Sequence, residues 1–277
     1  MSEFSSLEAI LEKLQVQYKV EPNFSFHDYQ LQRVPDYNNS EGDLNTIDGY
    51  DCKICKNKGF IASVDNNDCE VHSFCQCQRI RATLRRARQS GLNDILSKYT
   101  FDKYNATEDW QIAIKDKAQR FCKDDYSQWF YIGGQVGSGK THICTAISGN
   151  YIKAGKDVRY MLWCEESKKL KALVNDRSYS DEIAKYKNAD VLYIDDFLKV
   201  KNGETPTNGD INLAFEIINH RLLSKDKITI ISSEKTLDEV LDYDEGTMSR
   251  VVEKAGYYIV NIVRDRHKNY RLKGVSK

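Results

Sequence analysis

One stretch of the chain has residue types and spacing that suit phosphate binding. It matches G-x-x-x-x-G-K-[ST] at every fixed position and reads Gly134-Gln135-Val136-Gly137-Ser138-Gly139-Lys140-Thr141. Glycines let backbone N–H groups approach phosphate oxygens because no Cβ stands in the way. Lys140 adds a positive charge near the β- and γ-phosphates, and Thr141 offers a hydroxyl to Mg²⁺. The stretch predicts a binding site for ATP and magnesium. His142, the next residue, is a further candidate for nucleotide binding.

The residues on either side of this loop support that interpretation. Residues 129–133 form a short apolar, aromatic run that predicts a buried strand. Residues 141–153 predict a helix that ends at Gly155. A glycine-rich turn that binds nothing is the alternative, but a strand before the loop and a helix after it favour a nucleotide site, because the helix N-terminus adds a partial positive charge.

Two carboxylates follow a second apolar strand. Residues 191–194 precede Asp195 and Asp196, and Asp195 lies 55 residues after Lys140. A hard Mg²⁺ ion prefers carboxylate oxygen, so we expect Thr141 and Asp195 to bind magnesium. Asp196 is the candidate that polarises the attacking water.

Strands alternate with helices along the rest of the chain. Further strands are predicted at 157–164, 228–234 and 257–263, and further helices at 165–174, 211–223, 237–241 and 247–255. This alternation predicts an α/β fold, a five-stranded parallel P-loop ATPase core with ligands at the carboxyl ends of the strands. A small, partly helical zinc-binding domain is expected before the core.

The zinc prediction rests on two close cysteine pairs. Cys52 and Cys55 are separated by two residues, and Cys75 and Cys77 by one. Two such pairs can converge on one tetrahedral, structural Zn²⁺. Cys69 or His72 could replace one ligand, and a set of free thiols is the alternative. The remaining cysteines, Cys122, Cys144 and Cys164, are predicted to be ordinary core residues.

Two helices are predicted outside the core. Residues 6–20 show amphipathic spacing, either for docking a partner or for packing on the chain itself. Residues 78–89 carry five arginines and no acid, and Arg81, Arg85 and Arg88 form a stripe at helical spacing. That stripe could contact nucleic acid, an acidic partner surface or solvent alone. We therefore expect an arm at 1–48, a zinc module with the basic helix at 49–95 and the ATPase domain at 96–277.

Bulk composition excludes some classes of protein. The 277-residue chain has 41 basic and 41 acidic residues, so net charge indicates no partner. No apolar run approaches the roughly 20 residues of a membrane span, and the N-terminus lacks a signal-peptide pattern. We expect a cytoplasmic protein with reduced thiols and no membrane contact.

The motifs in their order resemble those of AAA+ helicase loaders of the DnaC/DnaI type, particularly those of Gram-positive bacteria and their phages. The resemblance runs from about residue 50 to 275. Its motifs are the cysteine pairs, the G-x-x-x-x-G-K-[ST] loop, Ile194-Asp195-Asp196, Ile231-Ser232-Ser233-Glu234, Ser249-Arg250 and Asn269-Tyr270-Arg271.

This resemblance implies roles for single residues. Glu234 stands where such proteins often have a sensor asparagine, and can still orient water. Arg250 would reach the γ-phosphate bound by a neighbouring subunit, which requires self-association. Arg271 is the candidate for a second sensor, with Arg264 as runner-up.

The resemblance also implies partners and a function. It implies a hexameric replicative DNA helicase and single-stranded DNA as partners, and ATP hydrolysis as a switch in loading that helicase during replication initiation. The alternatives are an IstB-like ATPase that regulates a transposase, a zinc-dependent nucleic-acid-binding module, and a metabolic kinase, for which no acceptor-binding lid is recognisable.

Overall fold

A computed structural model describes residues 26–67, 69–89, 96–124, 128–201 and 204–272. Contacts between Cα atoms divide the chain into two compact units, Met1–Gln78 and Arg79–Lys277. The three-part division at 48/49 and 95/96 stays a prediction. Among the described helices, none is both long and apolar enough to cross a membrane. The helix predicted at 6–20 lies outside the described residues.

The first unit contains an antiparallel hairpin and two short helices. Its elements are α1 (Phe26–Asn39), α2 (Leu44–Asp48), β1 (Phe60–Val64) and β2 (Glu70–Phe74). The two strands pair from Phe60 opposite Phe74 to Val64 opposite Glu70. The Asn38 side chain fixes α1 to β1, since its Nδ2 donates to the Ala62 carbonyl at 2.9 Å and its Oδ1 accepts from the Ala62 N–H at 3.0 Å. Residues 21–48 show no clear apolar period, and no helix was predicted there, so α1 and α2 are additions.

The predicted basic helix is present as α3 (Cys77–Gln89). Its arginines do not form one solvated stripe, which corrects the prediction. Arg85 and Arg88 are exposed, but Arg81 is only 1% exposed. Thr83 on the same helix donates to the Lys156 carbonyl at 3.4 Å, so this part of α3 packs within the second unit. Arg81 therefore has no surface to offer to DNA or to a partner protein.

The second unit is built on a five-stranded parallel sheet, as predicted. Its strands are β3 (Phe130–Gly134), β4 (Val158–Leu162), β5 (Val191–Asp195), β6 (Ile228–Ser233) and β7 (Ile259–Ile262). They lie in the order β4-β5-β6-β3-β7, and every neighbouring pair is parallel. All residues of β3 and β5 are buried, as expected where helices cover both faces of a sheet.

The helices of this unit fall into two groups. The first consists of α4 (Asp109–Phe121) packed on α5 (Lys140–Lys153). The second contains α6 (Trp163–Leu173), α7 (Tyr179–Asn188), α8 (Asn208–Leu222), α9 (Leu237–Leu241) and α10 (Glu245–Ala255), which pack on one another. Helices α4 and α7 were not predicted. The strand predicted at 257–263 is shorter, because Gly256–Tyr258 forms a 3₁₀ turn before β7.

The buried Arg221 links three elements of this unit, which are α7, α8 and β6. Arg221 of α8 has no exposed surface, and it donates to the carbonyls of Tyr186, Ala189 and Ile228 and to the Thr229 hydroxyl. Burial lowers the pKa of its guanidinium to about 10. Its donors link carbonyls at the end of α7 to the start of β6. The residue is thus structural rather than catalytic.

Candidate nucleotide site and cysteine cluster

The glycine-rich loop joins the carboxyl end of β3 to the first turn of α5. Gly134 has a φ of +106°, and a Cβ there would collide with the Ile262 carbonyl of β7. Gly137 has a φ of +71°, and a Cβ there would collide with the Asn269 side chain. Only glycine satisfies both the backbone angle and the contact at these positions. The loop is therefore shaped by its neighbours in the fold as well as by its own sequence.

Lys140 is the buried cation of this loop. It is 7% exposed, and its Nζ donates to the Gly134 carbonyl at 2.9 Å and the Gln135 carbonyl at 2.7 Å. Burial lowers the pKa of the ammonium. The Ser138 hydroxyl donates to the Gln135 carbonyl at 2.7 Å, which closes the loop on itself. The charged group thus lies at the N-terminus of α5, where a phosphate would find both a cation and free backbone N–H groups.

The Asp195 carboxylate lies beside the loop at the tip of β5. It is 5% exposed, and its Oδ1 accepts a hydrogen bond from the Thr141 hydroxyl at 3.4 Å. It also accepts from the Tyr160 hydroxyl at 3.1 Å and from the Ser232 hydroxyl. The hydroxyl and the carboxylate predicted to bind magnesium are therefore adjacent, and this oxygen donor set suits Mg²⁺.

The next two predicted carboxylates share one lysine. Asp196 follows β5 and Glu234 follows β6, and Lys199 Nζ lies 2.9 Å from Asp196 Oδ2 and 2.8 Å from Glu234 Oε1. Lys199 was not predicted as a site residue, because only the fold brings it between these two carboxylates. Ser233, at the end of β6, donates to the Phe197 carbonyl at 3.0 Å.

A cavity of about 360 Å³ joins these groups. It brings together most of the predicted nucleotide residues, with Asp195 hydrogen-bonded to Thr141 at its edge. The predicted residues that line it are Val136, Gly137, Gly139, Lys140, Thr141, His142, Asp196, Glu234 and Arg271. The cavity is therefore the candidate nucleotide site.

One wall of this cavity is aromatic and was not predicted. The His142 ring stacks on Tyr99 with centroids 4.8 Å apart and meets Tyr104 edge-on at 5.2 Å. Its Nε2–H donates to the Thr100 carbonyl at 2.8 Å, and burial lowers the pKa of the imidazole. His142 thus contributes a neutral ring surface rather than a charge. Such flat surfaces suit a nucleotide base.

The C-terminal motif Asn269-Tyr270-Arg271 lies against the cavity, beside the glycine-rich loop. The Tyr270 N–H donates to the Gly137 carbonyl at 2.9 Å, and the Tyr270 hydroxyl donates to the Asn105 carbonyl at 2.7 Å. Arg271 then lines the cavity, whereas Arg264 lies 3.1 Å from Glu239 and lines a different cavity. The geometry favours Arg271 over Arg264 as the arginine that faces a bound nucleotide.

Arg250 is not among the residues that line this cavity. It is exposed on α10 and donates to the Asn219 side chain of α8. Within one chain, therefore, Arg250 and the glycine-rich loop are not brought together.

The four predicted zinc ligands form one buried cluster. The Sγ atoms of Cys52, Cys55, Cys75 and Cys77 all lie within 4.8 Å of one another. The Cys52–Cys75 distance is 3.8 Å and the Cys55–Cys77 distance is 3.5 Å, too long for disulfides. A tetrahedron with Zn–S distances of about 2.3 Å has edges of about 3.8 Å, so the cluster fits one Zn²⁺ ion.

The turns around these thiols explain why they converge. Asn57 has a φ of +69°, and its Oδ1 accepts from the Cys52 N–H at 2.7 Å. The Gly59 N–H donates to Cys55 Sγ at 3.2 Å. Burial raises the pKa of Cys55, but this N–H and the neighbouring thiols outweigh burial and bring the pKa to about 7. The surroundings of Cys55 therefore favour the thiolate that a metal requires, whereas burial raises the pKa of Cys75.

The two alternative ligands lie outside the cluster. Cys69 is exposed, and its Sγ donates to the Asn67 carbonyl at 3.6 Å. The His72 Nε2 lies 2.6 Å from Glu70 Oε1. Among the described residues, the four buried thiols are therefore the ligand set that the fold assembles.

Comparison with known proteins fits this arrangement. The family described as IstB-like ATP binding protein matches residues 70–273. The chain belongs to this family. It is an AAA+ ATPase, and the strand–loop–helix with its buried lysine lies within the matched residues.

Similar proteins occur in Bacillus subtilis (strain 168). The chain is 30% identical to phage-like element PBSX protein XkdC over 82% of this chain and 88% of that protein. It is 34% identical to the uncharacterized protein YqaM over 72% of this chain and 66% of that protein, just under two thirds of YqaM. A crystal structure of DnaI matches with a TM-score of 0.50 and 19% identity, over 61% of this chain and 92% of that one. At this identity the likeness to DnaI concerns the fold alone.

The buried ammonium gives a direct test of the nucleotide site. We expect Lys140→Ala to abolish measurable ATP binding, since removing one buried charge partner costs about 2 kcal/mol or more. Titration with a fluorescent ATP analogue measures the affinity, and thermal melting confirms that the variant is folded. Lys153→Ala, at the exposed end of the same helix, is the matched control and should retain its affinity. A folded Lys140→Ala variant with unchanged affinity would remove the assignment.

The cysteine cluster predicts a metal content. Elemental analysis should find about one Zn²⁺ per chain, and Cys55→Ser should lose it because a tetrahedral site needs all four ligands. Cys69→Ser removes an exposed thiol outside the cluster and should retain the metal. A folded, metal-free preparation of the unaltered chain would contradict the prediction.

Proposed function

We propose that the chain is an ATP-dependent loader, which binds a replicative DNA helicase and delivers it to single-stranded DNA in replication initiation. One observation carries the proposal. An AAA+ nucleotide site and a separate four-thiol unit occur in one chain, and its ATPase fold is shared with DnaI. A metabolic kinase would not require the four-thiol unit.

The nucleotide would be held by groups that the fold already assembles. Lys140 and the N-terminus of α5 bind the β- and γ-phosphates, and Thr141 and Asp195 hold Mg²⁺. Magnesium, when bound, neutralises charge on the phosphates. Asp196 polarises the attacking water, Glu234 orients it, and Arg271 contacts the phosphates from the C-terminal side.

The zinc site would be structural. All four thiols are buried, so no coordination position is open to a substrate. A bound ion would hold the open end of the β1–β2 hairpin together with the turn around Asn57. This arrangement gives the first unit a rigid surface despite its small size, as metals do in other small domains.

Arg250 would act between subunits. It is exposed and does not line the cavity of its own chain, so its guanidinium is available to the nucleotide of a neighbour. An arginine supplied in this way stabilises charge that develops on the transferred phosphoryl group. ATP would then bridge subunits that hold the helicase on DNA, and hydrolysis would release it.

A second candidate function is regulation of a transposase, the alternative that the sequence suggested for an IstB-like ATPase, and the matching family is described as IstB-like. A nucleic-acid-binding module with a degenerate nucleotide site is less well supported, because Lys140, Thr141 and Asp195 are all present and adjacent. The two ATPase candidates differ in the partner that ATP makes the chain bind.

The intersubunit role predicts a split between binding and hydrolysis. We expect Arg250→Ala to bind ATP with ordinary affinity but to lose at least about 100-fold in ATPase rate. Arg177→Ala, which removes another exposed arginine, is the control and should hydrolyse normally. If Arg250→Ala protein hydrolyses ATP as fast as the unaltered chain does, at concentrations at which the unaltered chain self-associates, the role is wrong.

The loader proposal predicts an ATP-dependent complex. The chain should co-elute with the replicative DNA helicase of its own organism in the presence of ATP. For the Lys140→Ala variant, adding ATP should not change binding to the helicase. The experiment is a pull-down with purified helicase, run in parallel with purified transposase. Binding to the transposase but not to the helicase would replace the proposal with the second candidate.

A further inference from the structure

One cation joins the tips of two neighbouring strands beside the nucleotide cavity. Lys199 Nζ lies 2.9 Å from Asp196 Oδ2 and 2.8 Å from Glu234 Oε1, and about a third of its side chain is exposed. Asp196 follows β5 and Glu234 follows β6, so this lysine bridges residues 38 positions apart in the sequence. It also lines the cavity, together with Lys140 and Thr141.

The backbone before Lys199 is held in an uncommon conformation that places the lysine there. Asp196 and Leu198 have φ values of +54° and +52°, which cost energy in residues other than glycine. The turn is fixed by the Phe197 N–H, which donates to the Ser232 carbonyl at 2.8 Å, and by the Lys199 N–H, which donates to the Asp196 carbonyl at 3.0 Å. The ion pairs therefore rest on a turn that is itself attached to β6.

The charges in the cavity explain why a cation is needed at this position. A triphosphate brings several negative charges to a site that already contains the Asp196 and Glu234 carboxylates. An unpaired carboxylate there would repel the phosphates, and the repulsion grows as water is excluded. Burial lowers the pKa of Lys199, but its hydrogen bonds with Glu234 and Asp196 outweigh burial and raise the pKa above the ordinary value. Its ammonium therefore stays charged near neutral pH, contacts both carboxylates and offsets one of their two negative charges.

Lys199 and Glu234 also form a boundary between two cavities. Both residues line the nucleotide cavity and a neighbouring cavity of about 550 Å³, which Lys140 and Thr141 do not line. A change in the contact between the two side chains would therefore alter the walls of both cavities. The pair is placed to fix where the nucleotide cavity ends.

We propose that Lys199 is a positioning residue of the ATPase reaction: it holds Asp196 and Glu234 in place and neutralises Glu234, so that an acidic side chain is tolerated beside the phosphates. Lys199 acts through the two carboxylates, whose positions determine how water is aligned. The proposal rests on nucleotide binding at the glycine-rich loop, which Lys140→Ala tests separately.

A double-mutant cycle tests this coupling. The variants are Lys199→Gln, Glu234→Gln and the double variant, each measured for ATP affinity and for kcat and KM in ATP hydrolysis. We expect Lys199→Gln to weaken ATP binding by about tenfold and to lower kcat by a similar factor. In the double variant, removal of the unpaired Glu234 charge should restore ATP affinity to within about threefold, while kcat stays low.

Two further variants separate this role from a general loss of charge or fold. Lys199→Arg retains the cation and should keep kcat within about threefold of the unaltered chain. Lys201→Gln removes an exposed charge two positions away and should change neither constant. If Lys199→Gln does not fold, the Glu234→Gln variant serves as the test by itself. Removing the Glu234 carboxylate should strengthen ATP binding.

Three results would overturn the inference. The first is a folded Lys199→Gln variant with ordinary kcat and ATP affinity. The second is a double variant no better at binding ATP than Lys199→Gln. The third is unchanged affinity in Glu234→Gln. If Lys140→Ala also binds ATP normally, the fault lies with the nucleotide site itself rather than with Lys199.

Discussion

The Asp195 carboxylate is the interaction on which the arrangement of the site depends. It is almost fully buried, and a buried charge is stable only if hydrogen bonds or opposite charges replace the lost water. Its hydrogen-bond donors come from three other elements: Thr141 of α5, Tyr160 of β4 and Ser232 of β6. One carboxylate thereby joins both strands next to β5 to the helix that follows the glycine-rich loop. Any shift of β5 along its neighbours would break these bonds, so the register of the sheet and the geometry of the site are fixed together.

Much of the ATPase fold could be predicted from local sequence, for physical reasons. The strands β3, β5 and β6 are almost entirely buried, so each appears as a short run of mainly apolar residues, and β5 and β6 end in the polar residues Asp195 and Ser233. The glycine-rich loop is equally recognisable, because its backbone angles and close contacts admit few residue types. Both features depend on residues adjacent in the chain.

The errors have local causes as well. Helix α1 was missed because it contains Pro35 and lacks a clear apolar period. Helix α7 carries a weak signal, with Ile183 as its buried residue, and Tyr179 and Tyr186 at helical spacing could have revealed it. Arg81 could not be told apart from Arg85 and Arg88 by spacing alone, since which face of α3 is covered depends on residues far away in the sequence. The aromatic wall around His142 was missed for the same reason.

The pairing of Lys199 with Glu234 shows what a motif leaves out of a nucleotide site. A motif records residue types at fixed positions, whereas the phosphates respond to the total charge around them. When an acidic residue stands where a neutral amide is common, the site must gain a cation nearby or lose affinity for its ligand. The fold supplies that cation from a turn with two strained residues, and such strain persists only where surrounding contacts hold it. If Lys199 acts as we infer, the functional unit at this strand tip is the ion pair rather than Glu234 alone, and variation at position 234 should be interpreted together with position 199.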